Sequence, residues 1–198
     1  MSTASEESPG DGPLRLFIAI DAPSELKVRL REVQIELGTD ATGVRWVRPE
    51  SMHFTLVFLG NVSSTQIPPL AKVMDMVSSD TSSFSCNVAG LGTFGGPRSP
   101  RVIWAGISEA PALHAMCSSL CVELRKLHIT IEDRAFLPHL TIGRVKEARH
   151  QPTLVRHIKA HDVTSFGPLR VDSLLLMSSE LLPGGPQYSV LHRALLSP

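Results

Sequence analysis

Short apolar runs alternate along this chain with longer stretches in which apolar residues recur every third or fourth position, a pattern that predicts strands mixed with helices. Residues 14–20, Leu-Arg-Leu-Phe-Ile-Ala-Ile, read as a strand bounded by Pro13 and the turn-like Asp21-Ala22-Pro23-Ser24. Ser24 then caps a helix with apolar positions at Leu26, Leu30, Val33 and Leu37, and Gly38 stands where a C-terminal glycine ends it. Residues 44–47 lead through Pro49 into a strand over 52–60, Met-His-Phe-Thr-Leu-Val-Phe-Leu-Gly. A helix is expected over 65–79 with Pro68 and Pro69 in its first turn, then a strand over 84–91, a Gly- and Pro-rich loop over 90–100 and a strand over 101–107. The longest helix covers 113–127, with Leu113, Met116, Leu120, Leu124 and Leu127 at threes and fours. A strand over 138–144, a helix over 152–159 and closing strands over 171–177 and 188–191, joined by Pro183-Gly184-Gly185-Pro186, complete the pattern.

The two halves repeat one order: strand, helix, strand with His-x-Thr, helix, strand. In a strand the side chains alternate, so His53, Thr55 and Val57 share one face while Phe54, Leu56 and Phe58 share the other. One histidine in an apolar strand is more often a hydrogen-bonded core residue than a catalyst. The second copy, Pro138-His139-Leu140-Thr141-Ile142-Gly143-Arg144, overturns that weighting. The expected fold is therefore α+β, a bilobal duplicated unit with two antiparallel sheets facing a central cleft and helices on the outside. A pseudo-two-fold axis would set the two imidazoles facing each other across the cleft.

That pairing suits displacement at phosphorus, where attacking and leaving oxygens lie on opposite sides of the phosphoryl group. One base and one acid must sit on opposite sides too. An unperturbed pKa near ~6.5 lets one imidazole be neutral while the other is protonated. Thr55 and Thr141, two residues along the same faces, can each donate a hydroxyl to a non-bridging oxygen. This chemistry needs neither a metal nor another cofactor.

Composition narrows the partners. Lys and Arg number 19, as do Asp and Glu, so no basic excess marks a protein that coats long nucleic acid, although a few arginines can still hold one strand end. No apolar run is long enough for a membrane helix. The acidic, Ser-, Pro- and Gly-containing segment 1–13 lacks the features of a secretory signal and reads as a disordered tail, leaving 14–198 as a single domain of a cytoplasmic protein. Cys117 and Cys121 are placed i, i+4 on a helix, poorly for a disulfide, and read as free thiols. His157 and His161 share that spacing without the intervening Glu of a zinc protease.

The paired motifs, with Arg15-Leu16-Phe17-Ile18-Ala19-Ile20, Phe58-Leu59-Gly60, Arg101-Val102-Ile103-Trp104 and Phe136-Leu137-Pro138-His139, resemble the two-histidine phosphoesterases. Within them the chain is most similar to the RNA 2′,3′-cyclic phosphodiesterases, also called 2′-5′ RNA ligases. The resemblance runs from about Leu14 to Leu195. It implies hydrolysis of a terminal 2′,3′-cyclic phosphate to a 2′-phosphate, with His53 as the acid on the 3′ oxygen, His139 as the base on water, and Thr55 and Thr141 on the phosphate. It also implies a phosphate contact from Arg144. Strict alternation turns Arg144 away from His139, so that contact requires a bend or bulge at Gly143. Phe17, Trp46 and Tyr188 are candidates to stack a base, and Arg134 to touch a neighbouring phosphate. The expected partner is an RNA end or oligonucleotide bearing a cyclic phosphate, bound by a monomer. Two alternatives stay open: the same site acting on small cyclic nucleotides or on 2′-5′ or 3′-5′ oligonucleotides, and a non-catalytic module that binds RNA ends.

Overall fold

The computed structural model describes residues 12–38, 43–96, 99–108, 110–131, 135–146, 151–183 and 185–198. Nearly all of the expected tail, and Arg134, lie outside the described residues. The elements in order are β1 (Leu14–Asp21), α1 (Ser24–Gly38), β2 (Val44–Trp46), β3 (His53–Val62), α2 (Ile67–Ser79), β4 (Phe84–Phe94), β5 (Val102–Ser108), α3 (Pro111–Lys126), β6 (His139–Val145), α4 (Pro152–Ala160), β7 (Ser165–Val171), β8 (Ser173–Leu182) and β9 (Gly185–Leu195). The fold is α+β.

The strands lie in the order β7-β4-β5-β6-β3-β1-β8-β9, with β2 added beside β6, and every ladder between them is antiparallel. Reflected about its centre, the order relates β6 to β3, β5 to β1, β4 to β8 and β7 to β9. Two four-stranded sheets thus meet at β3 and β6, which are joined by one register pair, Phe54 with Leu140. The expected match of 84–91 to 171–177 holds in this arrangement. β4, from the first half of the chain, lies beside β5, and β8 returns to lie beside β1. Each lobe is completed by a strand from the other half.

Two strands, β4 and β7, differ from the sequence reading. Residues 90–94 are strand rather than loop: β4 bulges where Gly90 takes φ 74° and then pairs with β5 as far as Phe94. A glycine in the left-handed region absorbs such a bulge without ending the ladder. The strand β7 was not expected at all, because Gly167 and Pro168 interrupt its apolar pattern. It is an edge strand, paired only with β4, and an edge tolerates the missing N–H of a proline.

The main core lies between the sheets and the helices and includes Leu16, Ile18, Phe54, Ile103, Leu140 and Ile142. Fully burying each of these side chains contributes roughly 1.5–3 kcal/mol. A second, smaller cluster of Phe17, Ala19, Leu175 and Met177, with Tyr188 packed on it, lies apart from the first. Phe17 and Ala19 alternate along β1 with the core residues Leu16, Ile18 and Ile20, so this cluster occupies the other face of the sheet. Among the described residues no helix is long and apolar enough to cross a membrane.

Candidate active site

The two motifs cross where the two sheets join. Phe54 pairs with Leu140, and both are buried in the core. Extending this antiparallel register by one residue in each direction sets His53 opposite Thr141 and Thr55 opposite His139, all four on the face away from Phe54 and Leu140. The site is therefore built on strands whose other face is anchored by packed apolar side chains.

Just beyond each threonine the strand bulges. Ala19 pairs with Thr55 and Ile18 with Val57, leaving Leu56 as an extra residue in β3. Trp104 pairs with Thr141 and Ile103 with Gly143, leaving Ile142 as an extra residue in β6. A bulge resets the alternation. The burial sequence is the same over the first six residues of both strands: half-buried, buried, half-buried, buried, buried, exposed. Val57 consequently turns into the core and Phe58 turns out toward the histidine face, reversing the strict alternation expected for both. In β6 the same reset brings Arg144 to the face of His139 and Thr141. Its positive charge contributes to lowering His139 and His53 and opposes the upward push that burial gives the Tyr188 hydroxyl, so one guanidinium bears on both lobes.

The histidines have similar backbone anchors. His139 Nδ1 lies 2.7 Å from the carbonyl oxygen of Leu137, which can only accept, so Nδ1 carries the proton and Nε2 is left to the site. His53 donates to the backbone of Ser51, likewise two residues earlier. Burial is the largest influence on both pKa values and lowers both. His53 is held at about 4, against the raising effects of Ser51 and of the Asp21 carboxylate. His139 is also lowered, against the raising effect of Leu137.

The surrounding rings differ. Phe17 stacks on His53 with centroids 4.9 Å apart, and Tyr188 meets His53 edge-on at 5.0 Å. Phe94 meets His139 edge-on at 4.8 Å, with Trp104 at 6.3 Å. The indole of Trp104 lies over Gly92, where a Cβ would fall inside the ring.

The chain matches the family described as LigT like Phosphoesterase over residues 20–104 and 107–188, one histidine motif falling in each stretch. The chain belongs to this family. The LigT-like assignment agrees with a relative from Archaeoglobus fulgidus named RNA 2′,3′-cyclic phosphodiesterase, 35% identical over 88% of this chain and 96% of its own length. The solved structure of TT0787 from Thermus thermophilus superposes with a TM-score of 0.80 at 28% identity, covering 92% of this chain and 98% of that one. Escherichia coli LigT complexed with 3′-AMP gives 0.75 at 25% identity, covering 94% and 99%.

Within this LigT-like site the softer candidates separate. Tyr188 lies among the site rings. Phe17 is 3% exposed and its ring lies against His53, so it supports the imidazole rather than offering a face to a base. Trp46 packs against the main core, over the backbone of Gly143, on the helix side of β6. Phe94, Trp104 and Asp21 were not singled out by sequence reasoning. Alternation of Trp104 with the core residues Ile103 and Ala105 could have found the first-named ring's neighbour, whereas Phe94 was hidden in a stretch read as loop. Asp21 sits opposite His53 on β1, while the matching position opposite His139 is Gly106.

Proposed function

We propose that this chain is an RNA 2′,3′-cyclic phosphodiesterase that opens a terminal cyclic phosphate to a 2′-phosphate. The observation that carries the reading is the crossing of the two His-x-Thr segments, which gathers two imidazoles, two hydroxyls and the Arg144 charge on one face. The names of the relatives supply the substrate class.

In this mechanism His139 Nε2 takes a proton from water as the water oxygen attacks phosphorus. The P–O3′ bond breaks on the opposite side, and His53 gives its proton to the departing 3′ oxygen. Thr55 and Thr141 donate hydroxyls to the non-bridging oxygens, and Arg144 balances the charge gathering there. The acid role is given to His53 because a carboxylate, Asp21, stands opposite it and favours its protonated form, an effect partly offset by Lys27, which pairs with Asp21 at 2.7 Å, while His139 faces Gly106. Burial works against that role, holding His53 at about 4, so the anionic phosphate must raise its pKa on binding. The exposed ring of Phe58, 56% accessible on the same face, is offered to the terminal nucleobase, and Tyr188, like Phe58, packs against Phe17. One chain supplies both motifs, so residues 14–198 act as a monomeric unit, and the free thiols suit a reducing cytoplasm.

The test is hydrolysis of an oligonucleotide ending in 2′,3′-cyclic phosphate, in EDTA, with the product identified by its phosphate position. A 2′-phosphate is expected. A 3′-phosphate product would reverse the proposed geometry, and a strong preference for a cyclic mononucleotide would move the substrate from RNA ends to small nucleotides. Binding without turnover would leave only a module for RNA ends.

A further inference from the structure

Both bulges are held from beneath by a buried side chain of a helix. Gln34 of α1 is 1% exposed. Its Nε2 donates to the carbonyl of Ile142, the extra residue of β6, at 2.8 Å and to the carbonyl of Val47, just past β2, at 2.8 Å. Its Oε1 accepts from Arg31 Nη1 at 3.2 Å, an arrangement that fixes the orientation of the amide because guanidinium only donates and carbonyls only accept. Cys117 of α3, 4% exposed, donates its thiol hydrogen to the carbonyl of Leu56, the extra residue of β3, at 3.6 Å.

The exchange between halves is reciprocal. α1 follows β1 in sequence but reaches the bulge of β6, and α3 follows β5 but reaches the bulge of β3. We propose that Gln34 and Cys117 are paired positioning residues, each fixing a bulge of the opposite motif strand and so aiming the residue two positions on, Arg144 or Phe58, at the substrate face. A bulge distorts the regular ladder, and a buried side-chain partner can lock the distorted backbone. The Ile142 carbonyl also accepts from the backbone N–H of Val47 at 2.9 Å, so the Gln34 amide reinforces the junction of β6 with the end of β2. Burial, the largest cause, together with neighbouring Cys121 pushes the Cys117 thiol up to about 12, so it stays a donor at any working pH. The Gln34 arm also ties the end of β2 to β6, and Arg45 pairs across from Arg144 there.

The inference rests on the proposed cyclic phosphodiester chemistry for its kinetic readout, and calorimetric binding of inorganic phosphate to the full chain supplies a readout without turnover. Gln34→Met keeps length and removes both donors. It is expected to lower phosphate affinity and kcat/KM about tenfold, the effect of one lost hydrogen bond, and to change either by less than about twofold when Arg144→Ala is already present. Equal losses in both backgrounds would overturn the Gln34 assignment. Should Gln34→Met not fold, Gln34→Glu, which keeps the size and turns the donors into acceptors, is expected to show the same dependence on Arg144. Cys117→Ala is expected to lower several-fold the preference for a dinucleotide 2′,3′-cyclic phosphate over base-free ribose 2,3-cyclic phosphate. That ratio should not move in a Phe58→Ala background. An unchanged ratio in the otherwise wild-type chain would overturn the Cys117 half. A wild-type chain that binds phosphate but hydrolyses nothing would sink the proposed function while leaving the phosphate test of Gln34 decisive.

Discussion

The two lobes carry one strand design with different endings. In β3 and β6 the histidine, the threonine, the bulge and the burial of the first six positions correspond, yet the residue delivered past the bulge is an aromatic ring in one and a guanidinium in the other. The partner across from the histidine is Asp21 in the first lobe and Gly106 in the second. Across from the threonine it is Ala19 in the first and Trp104 in the second. In the proposed reaction this symmetry would supply an acid and a base on the two sides of a trigonal bipyramidal phosphorus. In the same proposal the departure from symmetry would supply direction, with charge compensation from Arg144 of β6 and a stacking ring from Phe58 of β3.

The sharpest break in this comparison would be unequal histidines. Alanine at His53 or at His139 should each lower kcat by about 10²- to 10⁴-fold, since each removes one proton transfer from the same step. The pair should be far from additive, because the second loss finds little concerted catalysis left. Steady-state rates for the two single variants and the double variant check this. A variant that kept near wild-type turnover would remove its histidine from the mechanism.

Next in size is the contrast between Arg144 and Phe58. Arg144→Ala should cost roughly 10- to 100-fold in kcat/KM for every cyclic phosphate, as loss of a charge-assisted hydrogen bond does. Phe58→Ala should cost roughly 5- to 100-fold for nucleobase-bearing substrates and little for a base-free ribose cyclic phosphate, as loss of one stacking contact does. Assaying both variants on both substrates separates the roles. If each variant affected the two substrates equally, the division of labour between the lobes would fail.

Much of this was legible in the sequence because the carriers of the site lie on strands with an uninterrupted apolar face. Apart from β7 and the end of β4, the order of elements and the repeat follow from apolar period and turn signals, and the sharing of one face by His53 with Thr55 and by His139 with Thr141 follows from period. The bulges were not legible, since Leu56 and Ile142 are ordinary strand residues and nothing local marks them as extra. Only the ladders with β1 and β5 define them, and those partners are distant in sequence. Strict alternation therefore misassigned Val57 and Phe58, and left Arg144 needing a distortion that glycine at 143 only permits. Gln34 reads on a helix as one polar residue among several; the carbonyls it donates to lie in β6 and beyond β2, which no helical periodicity reveals.

The smallest expected difference between the lobes is in how their histidines couple folding to pH. Both are lowered by burial, so between the unfolded value near ~6.5 and the folded value the unfolded chain binds a proton that the folded chain refuses. Stability is then fully present above the unfolded pKa and falls as pH drops toward the folded one. For His53, held at about 4, the loss between pH ~6.5 and ~4 amounts to roughly 3 kcal/mol. His53→Gln should flatten this part of the stability curve, and His139→Gln should flatten it less, since His53 is the more deeply buried of the two. Denaturant melts of the three proteins at several pH values in that window measure the slopes. Adding inorganic phosphate should shrink the wild-type slope, because an anion between the imidazoles raises both pKa values toward their unfolded value. A slope that phosphate left unchanged would mean that the anion does not sit against His53, and the acid role drawn from Asp21 would fall with it.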